Sequence, residues 1–263
     1  MKDEAGLVRS IQRHLLDAVA AAPLRPEPFA HLHCPRLMPD ALFQWLYDAY
    51  PREGMTPPPP GGTGEDLRRR LDIGDSRWFR LPETKRRRLE QVYDFEFSQR
   101  FGRALVERFL DHIPGVGVGE GGAPPPLPDQ TRRELTHQCL PCRWHFVTDH
   151  PGYQLEVHTD LAIKAVTALL YFSPVGTAGQ PGTTIYRPRP GLEHLRDADG
   201  MARLPFADFE PVWEAPHQGN SLFAFARNER AFHGVRPVPL GNGPRESLIF
   251  LVHRQLGPAT RAG

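Results

Sequence analysis

The sequence predicts a mixed α/β protein with a mainly β core, a double-stranded β-helix (jelly roll) flanked by N-terminal helices. Two changes of pattern carry this expectation. Before about residue 137, apolar residues recur at helical spacing between proline- and glycine-rich breaks. After about Gln138, short β-rich runs follow one another with turn residues between them and no helical stretch. Many short strands without intervening helices close into a sandwich or barrel. The 263-residue length allows one large core. The expected organisation is a single domain over 1–263, mainly helical in 1–137, with the jelly roll in 138–255.

Val8, Ile11, Leu15, Leu16 and Val19 share one face of a first helix. Pro39 suits the first turn of a second, with Leu42, Phe43, Leu46 and Tyr47 as its apolar set and Tyr50-Pro51 as its stop. Leu89, Val92, Phe97, Phe101, Leu105 and Phe109 predict one long helix between about Thr84 and Ile113, packed flat on a sheet. The segments Gly54 to Gly64 (GMTPPPPGGTG) and Pro114 to Asp129 predict mobile loops. Strands are expected at Arg143 to Val147, Tyr153 to His158, Lys164 to Phe172, Thr183 to Arg187, Glu210 to Trp213, Ser221 to Ala226, Phe232 to Val235 and Glu246 to His253.

Composition narrows the function classes. Lys plus Arg (32) nearly cancels Asp plus Glu (31), so bulk charge gives no argument for a nucleic-acid or membrane partner. No apolar run approaches bilayer length, and Met1 to Arg13 lacks a secretory pattern, so a cytoplasmic protein is expected. Three cysteines, Cys34, Cys139 and Cys142, fit a reducing compartment better than a disulfide scaffold.

The sharpest local feature is Val157-His158-Thr159-Asp160 at a strand end. Residues i and i+2 of a strand project from one face, so His158 and Asp160 make a two-point metal clamp. Alone, His-x-Asp is a weak signal that needs a third ligand. His233 lies in the apolar segment Phe232-His233-Gly234-Val235, where a lone histidine is more often a core residue bonded to a backbone carbonyl. It has company: Arg245 and Ser247 share a face of a following strand, opposite Leu248 and Phe250, and the turn Gly241-Asn242-Gly243 is expected to fold that strand back on the His233 strand. Two histidines and a carboxylate on one face of an octahedral ion leave three adjacent positions open, an arrangement found in non-haem Fe(II) oxygenases. A 2-oxo acid fills two of these and leaves one for dioxygen; a distal carboxylate then requires a buried bidentate cation, a task for Arg245.

The order His158-x-Asp160, His233, Arg245-x-Ser247 resembles the Fe(II)/2-oxoglutarate-dependent dioxygenases, in particular the branch of the prolyl 4-hydroxylase-like enzymes. The likeness runs over roughly Leu140 to His253, and more weakly over Pro28 to Tyr50. It implies iron(II) held by His158, Asp160 and His233, with 2-oxoglutarate and O2 as co-substrates. It also implies that the strand Lys164 to Phe172 (KAVTALLYF) carries, at Tyr171, a hydroxyl for the distal carboxylate of the co-substrate. Thr167, Leu169 and Tyr171 share the face of that strand expected to line the pocket, while Val166, Ala168, Leu170 and Phe172 fill a core; Tyr171 also suits a purely structural role as a core aromatic. The implied activity is hydroxylation, oxidative cyclisation or desaturation of an unactivated C–H in a small metabolite or amino-acid-derived substrate, with release of succinate and carbon dioxide. The alternatives are a hydroxylase of protein side chains and a non-catalytic jelly roll that binds a ligand.

Other signals weigh less. His137, Cys139, Cys142 and His145 are dense enough to suggest zinc, but Pro141 and the following strand splay the side chains, and no thioredoxin-like context supports a redox Cys-x-x-Cys. Arg68-Arg69-Arg70 and Lys85-Arg86-Arg87-Arg88 read as solvated faces, or as docking points for an acidic group. Lys164 reads as an exposed strand end or a residue at the cleft mouth, Arg143, Trp144, Arg187 and Trp213 as weaker cleft candidates, and His150, His194 and His217 as surface residues.

Overall fold

Hydrogen-bond pairing sorts the strands into two antiparallel sheets in a computed structural model that describes residues 3–115, 126–174, 180–197, 199–241 and 243–254. The helices are α1 (Glu4–Ala21), α2 (Asp40–Tyr47), α3 (Glu83–Val92), α4 (Phe95–Phe109) and α5 (Asp129–His137). The strands are β1 (Leu24–Arg25), β2 (His31–Cys34), β3 (Arg68–Asp72), β4 (Cys142–Asp149), β5 (Leu155–His158), β6 (Lys164–Phe172), β7 (Gln180–Pro188), β8 (Phe209–His217), β9 (Ser221–Ala226), β10 (His233–Val235) and β11 (Arg245–His253). The major sheet has the order β1-β2-β9-β6-β11-β4-β3 and the minor sheet β5-β10-β7-β8. Two facing sheets with strands crossing repeatedly between them make the expected jelly roll.

The outer face of the major sheet carries the main core. Val166, Ala168, Leu170 and Phe172 of β6 and Leu248 and Phe250 of β11 pack there against α4, whose Phe97, Phe101, Leu105 and Phe109 are buried on one side. Phe250 meets Phe101 at 5.2 Å and Trp144 at 4.2 Å between ring centroids. Each such ring contributes on the order of 2 kcal/mol through burial, which anchors the helical layer. The Tyr50 hydroxyl donates to the Val147 carbonyl at 2.7 Å and ties that layer to β4.

Four expectations need correction. The long helix from Thr84 to Ile113 is two helices. Asp94 interrupts it: its carboxylate accepts from the Phe97 amide at 2.7 Å and caps α4, while Gln12 donates to the last carbonyls of α3. Arg68-Arg69-Arg70 belongs to strand β3 at the edge of the major sheet, so β1, β2 and β3 join the sheet from within 1–137. Gly241 and Gly243 do not close a hairpin: β10 pairs with β5 and β7, whereas β11 pairs with β4 and β6, so the chain passes from one sheet to the other. Asn242 and most of Pro114 to Asp129 lie outside the described residues. His217 is buried rather than on the surface. Among the described residues, no helix is long and apolar enough to cross a membrane.

Candidate metal centre

His158 ends β5, His233 begins β10, and the two are register partners across an antiparallel pair. Their ring centroids stand 4.3 Å apart. Nδ1 of His158 is 2.9 Å from the Glu156 carbonyl, and Nδ1 of His233 is 2.8 Å from that of Ala231. A carbonyl only accepts, so each Nδ1 carries its proton and each Nε2 keeps a free lone pair. Burial, followed by the neighbouring His233, pushes the His158 pKa well below its usual value; burial lowers that of His233. Both rings are therefore neutral at pH 7, the form that binds metal.

Asp160 follows just past the end of β5, and Arg227 Nε donates to its carbonyl at 2.9 Å. Its Oδ1 accepts from Lys164 Nζ and its Oδ2 from Thr167 Oγ1, both at 2.5 Å. Burial alone would raise the carboxyl pKa, but the charge and hydrogen bond of the Lys164 ammonium outweigh it and keep Asp160 ionised. Gly200, at φ 73°, lies so close that a Cβ there would stand 2.1 Å from the Asp160 carbonyl oxygen. Asp197 fixes this corner by accepting from the Gly200 amide at 2.9 Å and from Thr159 Oγ1 at 3.1 Å.

One donor atom from each of His158, Asp160 and His233 lies within 4.8 Å of the others, and all three residues are buried. Among the described residues they are the one His/Cys/Asp/Glu group with this geometry. Two imidazoles and one carboxylate fit a divalent first-row ion, and three protein donors leave positions open on an octahedral one. The His137, Cys139, Cys142 and His145 cluster is not gathered: Cys139 is exposed, and Cys142 and His145 lie on opposite faces of β4.

The triad opens into a cavity of about 500 Å³. Thr167 and Leu169 line it beside the triad, as the period of β6 requires. Lys164 lines it too, with its ammonium on Asp160. Tyr171, one step further along that face, donates to Thr183 Oγ1 at 2.9 Å, and Thr183 lines the cavity. Ser247 pairs with Tyr171 in register and lies 3.3 Å from His217 Nε2. Arg245 donates to Asp149 Oδ2 at 3.0 Å and to the Pro181 carbonyl, while its buried Nε has no partner.

Sequence reasoning missed the partners of Arg245. Arg68 also binds Asp149, with its Nε 2.6 Å from Oδ1, so two guanidinium groups share one buried carboxylate. Burial would raise the Asp149 pKa; Arg68 and Arg245 reverse this and hold it low. Arg70 lines the cavity as well and pairs with Asp72, which also accepts from His145 Nδ1 at 2.7 Å. Alternation was the available signal, since Arg68 and Arg70 share a face and Leu71 is buried on the other. Trp144 lies in the helix-facing core and Trp213 stacks on His31, so neither enters the cavity.

No family model matches the chain, and no curated protein of similar sequence does. Among solved structures, it is similar to a prolyl-4-hydroxylase from Pseudomonas putida at 16% identity and TM-score 0.47, covering 94% of this chain and 100% of that one. It is also similar to SnoK, a non-haem α-ketoglutarate-dependent carbocyclase from nogalamycin biosynthesis, at 12% identity and TM-score 0.49, covering 97% and 90% of the two chains. A Trichoplax adhaerens prolyl hydroxylase in complex with a hypoxia-inducible-factor peptide fragment is similar at 10% identity and TM-score 0.48, covering 98% and 96%.

Proposed function

We propose that the chain is an Fe(II)/2-oxoglutarate-dependent dioxygenase acting on an unactivated C–H of a small molecule. The observation that carries this reading is the buried triad His158, Asp160 and His233, with each Nδ1 committed to a carbonyl and the metal-binding atoms within 4.8 Å. A ferrous ion there, with 2-oxoglutarate and dioxygen, supplies the oxidising power to functionalise such a bond, with succinate and carbon dioxide as co-products.

The protein's own groups prepare the site. Lys164 and Thr167 fix both oxygens of Asp160 and so its orientation. Arg245 is the cation assigned to the distal carboxylate of 2-oxoglutarate. Two guanidinium groups face the single Asp149 carboxylate, so one positive charge remains uncompensated, and the buried Arg245 Nε lacks a partner. Ser247 and Tyr171 are its neighbours on the same face of β11 and β6, and Leu169 and Thr167 continue that face toward Asp160. A recessed cavity of about 500 Å³ favours a small molecule over a polypeptide segment.

The test is succinate release by the full chain with Fe(II), 2-oxoglutarate and oxygen, against a library of candidate metabolites. Turnover above the uncoupled background is expected with at least one metabolite, and none from His233→Ala or Asp160→Ala. Succinate formation undiminished in both variants sinks the assignment.

A further inference from the structure

We propose that the charge of Lys164 makes retention of the metal conditional on an anionic co-ligand: it opposes a bare divalent ion at the triad, and the opposition is relieved when a 2-oxo acid joins the ion. This rests on the oxygenase reading and deepens it.

The two oxygens of Asp160 are held by donors of different kinds. Thr167 Oγ1 donates to Oδ2 and brings no net charge, whereas Lys164 Nζ donates to Oδ1 and brings a full positive one, both at 2.5 Å. A neutral hydroxyl is enough to orient a carboxylate oxygen, as Thr167 does. The charge is what Lys164 adds. The residue is also fixed in place: its amide donates to the Leu161 carbonyl at 2.9 Å, and its carbonyl accepts from Arg254 Nε at 3.2 Å. Its side chain is 19% exposed and, among the described residues, Asp160 is its one ion-pair partner.

An ion bonded to Asp160 does not escape this charge. Metal–carboxylate bonds are about 2.0–2.2 Å long, so an ion on Oδ1 stands no more than about 4.7 Å from Nζ, and an ion on Oδ2 no more than one carboxylate width further. Without metal this corner is neutral, because Asp160 and Lys164 cancel and both imidazoles are uncharged. A divalent ion then leaves two positive charges beside the ammonium, where the Asp160 side chain is only 7% exposed and screening is weak. A 2-oxo acid bound to the ion through its carboxylate and keto oxygens brings negative charge to the point where the repulsion arises. Metal and co-ligand therefore bind with positive coupling, and by linkage each strengthens the other by the same factor. Part of that factor comes from the coordinate bonds themselves; the part owed to Lys164 is what its replacement removes.

The test is competition between the full chain and a chromogenic chelator for Co(II), with and without saturating 2-oxoglutarate. The ratio of the two dissociation constants is the coupling factor. Lys164→Met is expected to lower this factor at least tenfold, chiefly by tightening the binding of Co(II) alone, whereas Lys164→Arg keeps it within threefold of the parent. Thr167→Val supplies the contrast: it weakens both constants together and leaves the factor within threefold. A lysine that merely orients Asp160 would behave as Thr167 does, moving both constants and not their ratio. Lys164→Gln provides a second neutral variant, and the urea midpoint of each metal-free chain reports its folding. A parent factor retained in both neutral variants overturns the inference and leaves the oxygenase reading standing. Co(II) bound by the parent with no response to 2-oxoglutarate overturns the inference and speaks against that reading as well.

Discussion

Arg245 and Asp149 meet at 3.0 Å with both side chains only 2% exposed. Arg68 takes the same carboxylate from its other side. The carboxylate is therefore the keystone, and the two cations are not equivalent to it. Asp149→Asn leaves two guanidinium groups uncompensated and is expected to cost about 3–5 kcal/mol of unfolding free energy in urea. Arg245→Met leaves Asp149 bound by Arg68 at both oxygens; it should cost less stability and raise the KM for 2-oxoglutarate. An Asp149→Asn variant as stable as the parent would contradict this.

Thr167→Val removes the hydroxyl that donates to Asp160 Oδ2 while preserving the shape of the side chain. Metal affinity is expected to fall by roughly 10- to 100-fold, the usual effect of losing a partner of a metal ligand. Competition with a chromogenic chelator, using Co(II) or Mn(II), measures it. The midpoint of unfolding of the metal-free chain serves as the control for misfolding.

Gly200→Ala places a methyl group where only 2.1 Å separates it from the Asp160 carbonyl oxygen, at a φ of 73°. The segment must move, and Asp160 moves with it. A stability loss on the order of 1–3 kcal/mol is expected from the backbone alone, together with reduced metal occupancy after reconstitution, read by elemental analysis. Unchanged occupancy would show that this glycine does not control the ligand's position.

His217 is buried between Ser173, the Glu246 carbonyl and Ser247, and burial, with Arg245 adding to it, pushes its pKa down to about 3. The unfolded chain protonates this ring near pH 6.5 and the folded chain does not, so the unfolded state binds more protons between those values. Stability is therefore intact above about pH 6.5 and falls as the pH drops toward 3. In that window His217 contributes a slope of about 1.4 kcal/mol per pH unit. His217→Gln should flatten the urea midpoint against pH between 6 and 4; an unaltered slope would place the acid sensitivity elsewhere.

The candidate metal triad was legible because each member sits where strand periodicity or pairing directs it. His158 and Asp160 are two apart at a strand end, and His233 lies in the apolar segment whose strand pairs with that of His158. The two faces of β6 were legible for the same reason. Strand β3 was not, because its inward face is arginine, and arginines without apolar alternation read as solvated until a buried partner such as Asp149 is known. The break at Asp94 was masked by Leu89, Val92, Phe97 and Phe101, whose spacing continues across it. His217 looked superficial because burial of a β8 terminus depends on β11, which is distant in sequence and supplies the Glu246 carbonyl.

Phe29, Phe223, Phe225 and Tyr171 from the major-sheet side interlock with Ile185 and Ala215 of the minor sheet. His158 and His233 sit on the minor sheet and Arg245 on the major one, so this aromatic seam sets the spacing between them, as the rivet of a pair of calipers does. Trimming a ring there leaves every liganding and charged group in the chain, yet alters the gap they are set to span. In the proposed oxygenase, damage to this seam would thus emerge as poor coupling between co-substrate consumption and product formation, a defect of aim rather than of grip.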